Sequence, residues 1–142
     1  MKVRSVLLLL VGFASGIVVT NTIASSRQRA TISDAVISSP DHYKLEFENE
    51  FVRVIRVTYG PHERAVMHQH PAPGAVIVRL TDQDARLTAP DGTSHENHYK
   101  AGSAVWSVST PTADLTTQSA HSEENLSDKP FEQIRIEPKL PH

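Results

Sequence analysis

The chain has 142 residues, enough for one domain, with 14 lysines and arginines against 16 acidic residues. It has no basic stripe and no long acidic run, which argues against nucleic acid as a partner. Cysteine is absent, which excludes disulfides, thiolate metal sites and a cysteine nucleophile, so any metal must be held by imidazole, carboxylate or carbonyl groups.

Residues 1–26 read MKVRSVLLLLVGFASGIVVTNTIASS. Lys2 and Arg4 open the segment, an apolar run follows to about residue 19, and small and polar residues close it with Thr22-Ile23-Ala24 as a cleavage signal. This is the layout of a secretory signal peptide. The apolar run is long enough that an uncleaved N-terminal membrane anchor is the alternative. In either case the domain is expected outside the cytoplasm, periplasmic or secreted, with membrane contact only through this segment. Loss of Lys2 and Arg4 leaves 12 basic against 16 acidic residues, a balance that favours solubility.

Residues 27–42 are polar, lack sustained periodicity and carry Ser38-Ser39-Pro40 near their end, so they are expected to form a linker. Residues 43–139 look all-β. Residues 43–47 alternate apolar and polar, and 51–59 (FVRVIRVTY) are rich in β-branched and aromatic residues. Asn49-Glu50 fits a tight connection between these runs, and Gly60-Pro61 ends the second. Residues 65–70 and 75–80 are further strand candidates. Residues 85–89 and 93–99 flank Pro90-Asp91-Gly92, a hairpin with Asp-Gly as its turn signal. Ala101-Gly102 marks another turn before a strand at 104–108, and 131–137 (FEQIRIE) closes the domain. No segment has a convincing helical period. Many short strands with regular turn signals predict a sandwich or barrel.

The stretch Met67-His68-Gln69-His70 places two histidines at i and i+2, which project to one face of a strand. Two neutral imidazoles side by side seed a divalent metal site, although an HxH pair alone is a weak signal. A third histidine, His121, precedes the closing strand and is followed at i+4 by Asn125. A barrel that brings the two segments together would cap a metal on one side with three imidazoles and leave positions open for water or substrate. Glu123 would share the face of His121 and is the candidate general acid or base. Asn125 is expected either to orient His121 or to cap the turn that follows it.

Taken together, these residues resemble a small single-domain cupin. Gly60, His68 and His70 follow the order of that family's first motif, His121 and Asn125 the end of the second, and Lys100-Ala101-Gly102-Ser103-Ala104-Val105-Trp106 is similar to the turn that opens the second. The likeness spans about residues 43–139. It implies a double-stranded β-helix, or jelly-roll barrel, with a metal in its mouth and pairing of two copies through outer strands. Two departures stand out. The expected first-motif Glu is absent, because 71–80 (PAPGAVIVRL) contains no carboxylate. The centre implied is therefore three-histidine, and a neutral ligand set leaves charge at the metal that favours an anionic substrate or hydroxide. Residues 110–120 are longer than the family's usual link and lack its Pro-x-Gly turn, which implies a longer loop at the mouth.

Other residues have plainer readings. His62 stands as an extra ligand candidate near the mouth. His95 and His98 lie on opposite faces of one strand and cannot both serve one site. His42 and His142, at the domain ends, are expected to be solvated. Trp106 is core or cavity wall. There is no GxSxG elbow and no phosphate-binding glycine loop.

Three functions fit: an exported enzyme of dioxygenase type, holding one divalent iron, manganese, nickel, copper or zinc and acting on a small molecule; a non-catalytic module that binds or senses a small ligand or metal; and a barrel whose histidines are merely polar residues at its mouth.

Overall fold

The computed structural model describes residues 32–71, 73–108 and 120–139. The signal or anchor segment, His142 and nearly all of the loop at 110–120 lie outside the described residues. One short helix, α1 (Ala35–Ser38), precedes eight strands: β1 (Tyr43–Glu48), β2 (Val52–Tyr59), β3 (Gly74–Arg79), β4 (Gln83–Thr88), β5 (Ser94–Tyr99), β6 (Ala104–Val108), β7 (Ser122–Asn125) and β8 (Phe131–Pro138). They form a five-stranded sheet in the order β1-β2-β8-β3-β6 and a three-stranded sheet in the order β5-β4-β7, with every pairing antiparallel.

Local chemistry explains the turns. The Asn49 side chain accepts from the backbone N–H of Phe51 and Val52, closing the β1–β2 connection. Asp91 accepts from both the backbone and the hydroxyl of Thr93, and Gly92 takes φ +88°, so the Asp-Gly turn forms as its residues require.

The core gathers Ala35, Tyr43, Ile55, Val57, Tyr59, Ala65, Ala85 and Phe131. Tyr59 stacks on Phe131 with ring centres 4.8 Å apart, and Tyr43 meets Tyr59 edge-on at 6.2 Å. Each large apolar side chain buried here stabilises the fold by about 1.5–3 kcal/mol.

Two expectations are revised. The stretch 27–42 is not linker throughout. Asp34 caps α1 by accepting from the Val36 N–H at 3.0 Å, Ala35 is fully buried, and Arg53 binds the other Asp34 oxygen at 2.6 Å. A helix of one turn shows no period, and only its tertiary contacts hold it. Residues 65–70 do not form a continuous strand; His68 and Gln69 make isolated bridges to His121 and Asp34, and Arg64 just before them makes one to Glu124.

A candidate three-histidine metal centre

The backbone around His68 is pinned from both sides. His68 and His121 exchange two backbone hydrogen bonds of 2.9 Å each. One residue on, the Gln69 N–H donates to Ser33 O at 3.0 Å and the Ala35 N–H donates to Gln69 O at 3.2 Å. This short extended piece keeps the alternation of a strand, so His68 and His70 leave on the same side and meet His121 there. Ring centres stand 5.0 Å apart for His68–His70, 4.7 Å for His68–His121 and 5.3 Å for His70–His121.

These separations fit a shared ion. With metal–nitrogen bonds of about 2.0–2.1 Å and ring centres roughly 1.1 Å beyond, right-angled to tetrahedral geometry puts neighbouring ring centres about 4.5–5.2 Å apart. One nitrogen from each ring already lies within 4.8 Å of the others. The tautomer agrees as well. Nδ1 of His68 lies 2.8 Å from the Val66 carbonyl, which can only accept, so the proton sits on Nδ1. Nε2 of His68 is then an acceptor, buried with no protein partner. Burial lowers the His68 pKa to about 4 and that of His70 well below its ordinary value, with the Arg135 charge adding to both; neutral imidazole is the ligating form. No carboxylate joins this group among the described residues.

The group borders a cavity of about 230 Å³ whose wall includes His70, His121 and Glu123. Glu123 is buried and held at both oxygens: Tyr43 OH donates to Oε2 at 3.1 Å and Gln83 Nε2 donates to Oε1 at 2.9 Å. Tyr59 OH in turn donates to Tyr43 OH at 3.1 Å. Burial raises the pKa of Glu123 and, more strongly, that of Tyr43. Carboxylates therefore reach the site from β7 and β8, and none comes from the Gly74–Ala75 region. The β8 carboxylate is Glu137, whose Oε1 stands 3.5 Å from Nδ1 of His70 and also accepts from Arg135 Nε at 2.6 Å.

Asn125 takes the turn-capping role. It is fully buried, and its Nδ2 donates to Gly60 O at 2.9 Å and Lys129 O at 2.7 Å while its Oδ1 accepts from the Ser127 N–H at 3.0 Å. The cause is that β7 ends at Asn125, so the side chain serves the turn. His62 is likewise no ligand. It bonds Asp128 at 2.8 Å on the surface. His42 is stacked on Tyr59 at 4.3 Å with its side chain only 15% exposed, so it is not solvated as its position suggested. His98 faces outward to Asp84, and His95, on the opposite face of β5, lines the cavity. Trp106 forms part of the cavity wall.

Sequence reasoning did not find Tyr43, Arg79, Gln83, Arg135 or Glu137. The available signal was the alternation within β8. Its buried face is Phe131, Gln133, Arg135 and Glu137, while Ile134 and Ile136 are only half-buried.

No family model matches the chain, and no curated protein matches it. Solved structures do. A cupin domain from Bordetella pertussis Tohama I is similar with a TM-score of 0.57 at 23% identity, over 69% of this chain and 92% of that one. A Bacillus halodurans protein reaches a TM-score of 0.50 at 12% identity, over 70% and 71%. An uncharacterized conserved protein with a double-stranded β-helix domain from Klebsiella pneumoniae reaches 0.48 at 17%, over 69% and 77%. An identity of 23% speaks to fold, and the Bordetella likeness with the antiparallel sheets described above establishes it: the chain folds as a cupin-type double-stranded β-helix.

Proposed function

We propose that the chain is an exported metalloprotein in which His68, His70 and His121 hold one divalent transition metal for the conversion of a small molecule, with dioxygenase-type oxidation as the activity. The observation that carries this reading is the convergence of three imidazoles at ring separations of 4.7–5.3 Å beside a cavity. When bound, such a metal supplies Lewis acidity and open positions for substrate. The protein's own part is to hold His68 in its Nδ1–H tautomer through Val66, to set the Glu137 carboxylate 3.5 Å from His70, and to keep the Tyr43 hydroxyl proton at Glu123 within reach of the cavity. Export is supported by the charge and hydropathy layout of residues 1–26.

A second reading, a non-catalytic module that binds or senses a ligand, is favoured by one observation. Both oxygens of Glu123 already have protein donors, which leaves the acid little freedom to serve a substrate. Pairing of two copies is supported by an apolar strip on the outer sheet face, where Val54 and Val76 flank Ile136 in register; sedimentation at tens of micromolar should show a dimer.

The test is metal content. The full chain, purified without a histidine tag, should carry close to one transition metal per protein, and His68→Ala and His121→Ala should lose it. Equally low metal in wild type and variants would sink the metal reading. Oxygen consumption by the loaded protein over thiols, phenols and keto acids separates enzyme from binder.

A further inference from the structure

The cavity wall beside the histidines is cationic. Arg79 and Arg135 both line it, and both are about 5% exposed. Each guanidinium is fixed by its inner nitrogen. Arg79 Nε donates to Gln83 Oε1 at 3.1 Å, and its plane lies 3.5 Å from the centre of the Tyr99 ring. Arg135 Nε donates to Glu137 Oε1 at 2.6 Å. Each then keeps a terminal nitrogen, Arg79 Nη1 and Arg135 Nη2, buried and without a protein acceptor. Gln133 lies across from Arg79 in the β3–β8 register, lines the same cavity and keeps a buried Oε1 with no donor.

A buried donor left unmatched is costly, and two fixed guanidinia with unspent N–H groups, on residues that line one cavity, are an anion site built in advance. The charges agree. Arg53 and Arg135 are matched by Asp34 and Glu137, whereas Arg79 forms no ion pair among the described residues, so the wall keeps a cationic surplus. About 230 Å³ has room for a ligand on the order of ten non-hydrogen atoms or fewer.

We infer that Arg79 and Arg135 bind the carboxylate of a short organic acid whose hydroxyl donates to Gln133 Oε1. The inference rests on the reading of this cavity as a ligand site and names its substrate class, but it does not require the metal. A carboxylate matches the two donors with its two oxygens, and a hydroxy acid completes the set with one donor for the one free acceptor.

The test is titration calorimetry on the full chain stripped of metal, with lactate, propionate, neutral lactamide and inorganic phosphate as probes. Lactate should bind at least tenfold more tightly than lactamide and more tightly than propionate or phosphate. Arg79→Met should weaken lactate at least tenfold. Arg135→Lys, which keeps a cation beside Glu137 but loses the free Nη2, should do the same, with thermal melting to confirm that both variants fold. The protein is free of metal throughout this titration, so failure of the metal reading leaves this one standing. Equal binding of lactate and lactamide, tighter binding of phosphate, or an unchanged lactate affinity in a folded Arg79→Met protein would each overturn it.

Discussion

Glu137→Gln is the sharpest test of how this interior is held. Glu137 is 1% exposed and serves three cationic or polar partners. Its Oε2 accepts from Arg53 Nε at 2.7 Å and lies 2.6 Å from Arg53 Nη2; its Oε1 accepts from Arg135 Nε at 2.6 Å and stands 3.5 Å from His70 Nδ1. Glutamine keeps the shape and one acceptor. It removes the charge and turns an NH₂ group toward a guanidinium, donor against donor. Arg53 retains Asp34 at 2.6 Å and is partly solvated, so the main loss falls on Arg135, whose side chain is 6% exposed. Stranding one partner of a buried pair costs about 3–5 kcal/mol, and the relief at Arg53 puts this variant near the lower end. For a domain of roughly 100 residues that is a fall in Tm of about 12 °C or more. Urea melts followed by circular dichroism should show a lower midpoint with an unchanged slope. The internal control is Glu48→Gln, which breaks the Lys139–Glu48 pair at 2.7 Å, where both side chains are about 40% exposed; its midpoint should not move measurably. A Glu137→Gln protein that loses less than about 1 kcal/mol, or no more than Glu48→Gln, would refute the claim that Glu137 neutralises the interior.

Other substitutions separate the remaining contacts. Tyr43→Phe strips Glu123 Oε2 of its donor and Tyr59 OH of its acceptor, and should cost about 2–3 kcal/mol in urea unfolding, whereas Tyr59→Phe leaves Tyr43 bonded to Glu123 and should cost less; the reverse order would contradict the direction of the chain. Asp34→Ala removes the cap of α1 and one carboxylate of Arg53, for a loss of about 1–2 kcal/mol, and by loosening the Ser33–Gln69 pairing should weaken metal retention, measured by competition with a chelator. Gly92→Ala meets no atom within 4 Å but must adopt φ +88°, so a loss on the order of 1 kcal/mol is expected, and a loss above about 3 kcal/mol would point to a steric cause that the hairpin does not contain.

The barrel was legible because its strands follow period two and its turns carry the residues those turns need. The histidine pair was legible for the same reason: i and i+2 project together even where the strand is reduced to isolated bridges. The cationic wall was not, and β8 shows why. Period two divides FEQIRIE into one face with Phe131, Gln133, Arg135 and Glu137 and another with Glu132, Ile134 and Ile136. Hydrophobicity alone would bury the isoleucines. Register decides otherwise. β2 pairs Tyr59 with Phe131, Val57 with Gln133 and Ile55 with Arg135, and directly opposite residues in an antiparallel pair share a face. Burying Tyr59, Val57 and Ile55 in the core therefore carries Gln133 and Arg135 inward with them, and a slip of one residue would turn every side chain of β8 over.

That inversion has a cost, because buried charges are stabilising only when fully matched, and apolar side chains of the same volume often hold a fold as well or better. Arg79, Arg135, Glu123 and Glu137 sit in the middle of the main sheet and its facing strand, where isoleucine or leucine would fit the pattern of a sequence built for stability alone. Their matching is nearly complete: among the described residues the buried side-chain atoms left unmatched are Arg79 Nη1, Arg135 Nη2, Gln133 Oε1, His68 Nε2, His70 Nδ1 and Ser39 Oγ, and all but Ser39 belong to residues that gather around one cavity and its three-histidine border. Scattered defects of packing would not gather in this way. Their convergence is the physical ground for treating the polar face of β8 as part of the site.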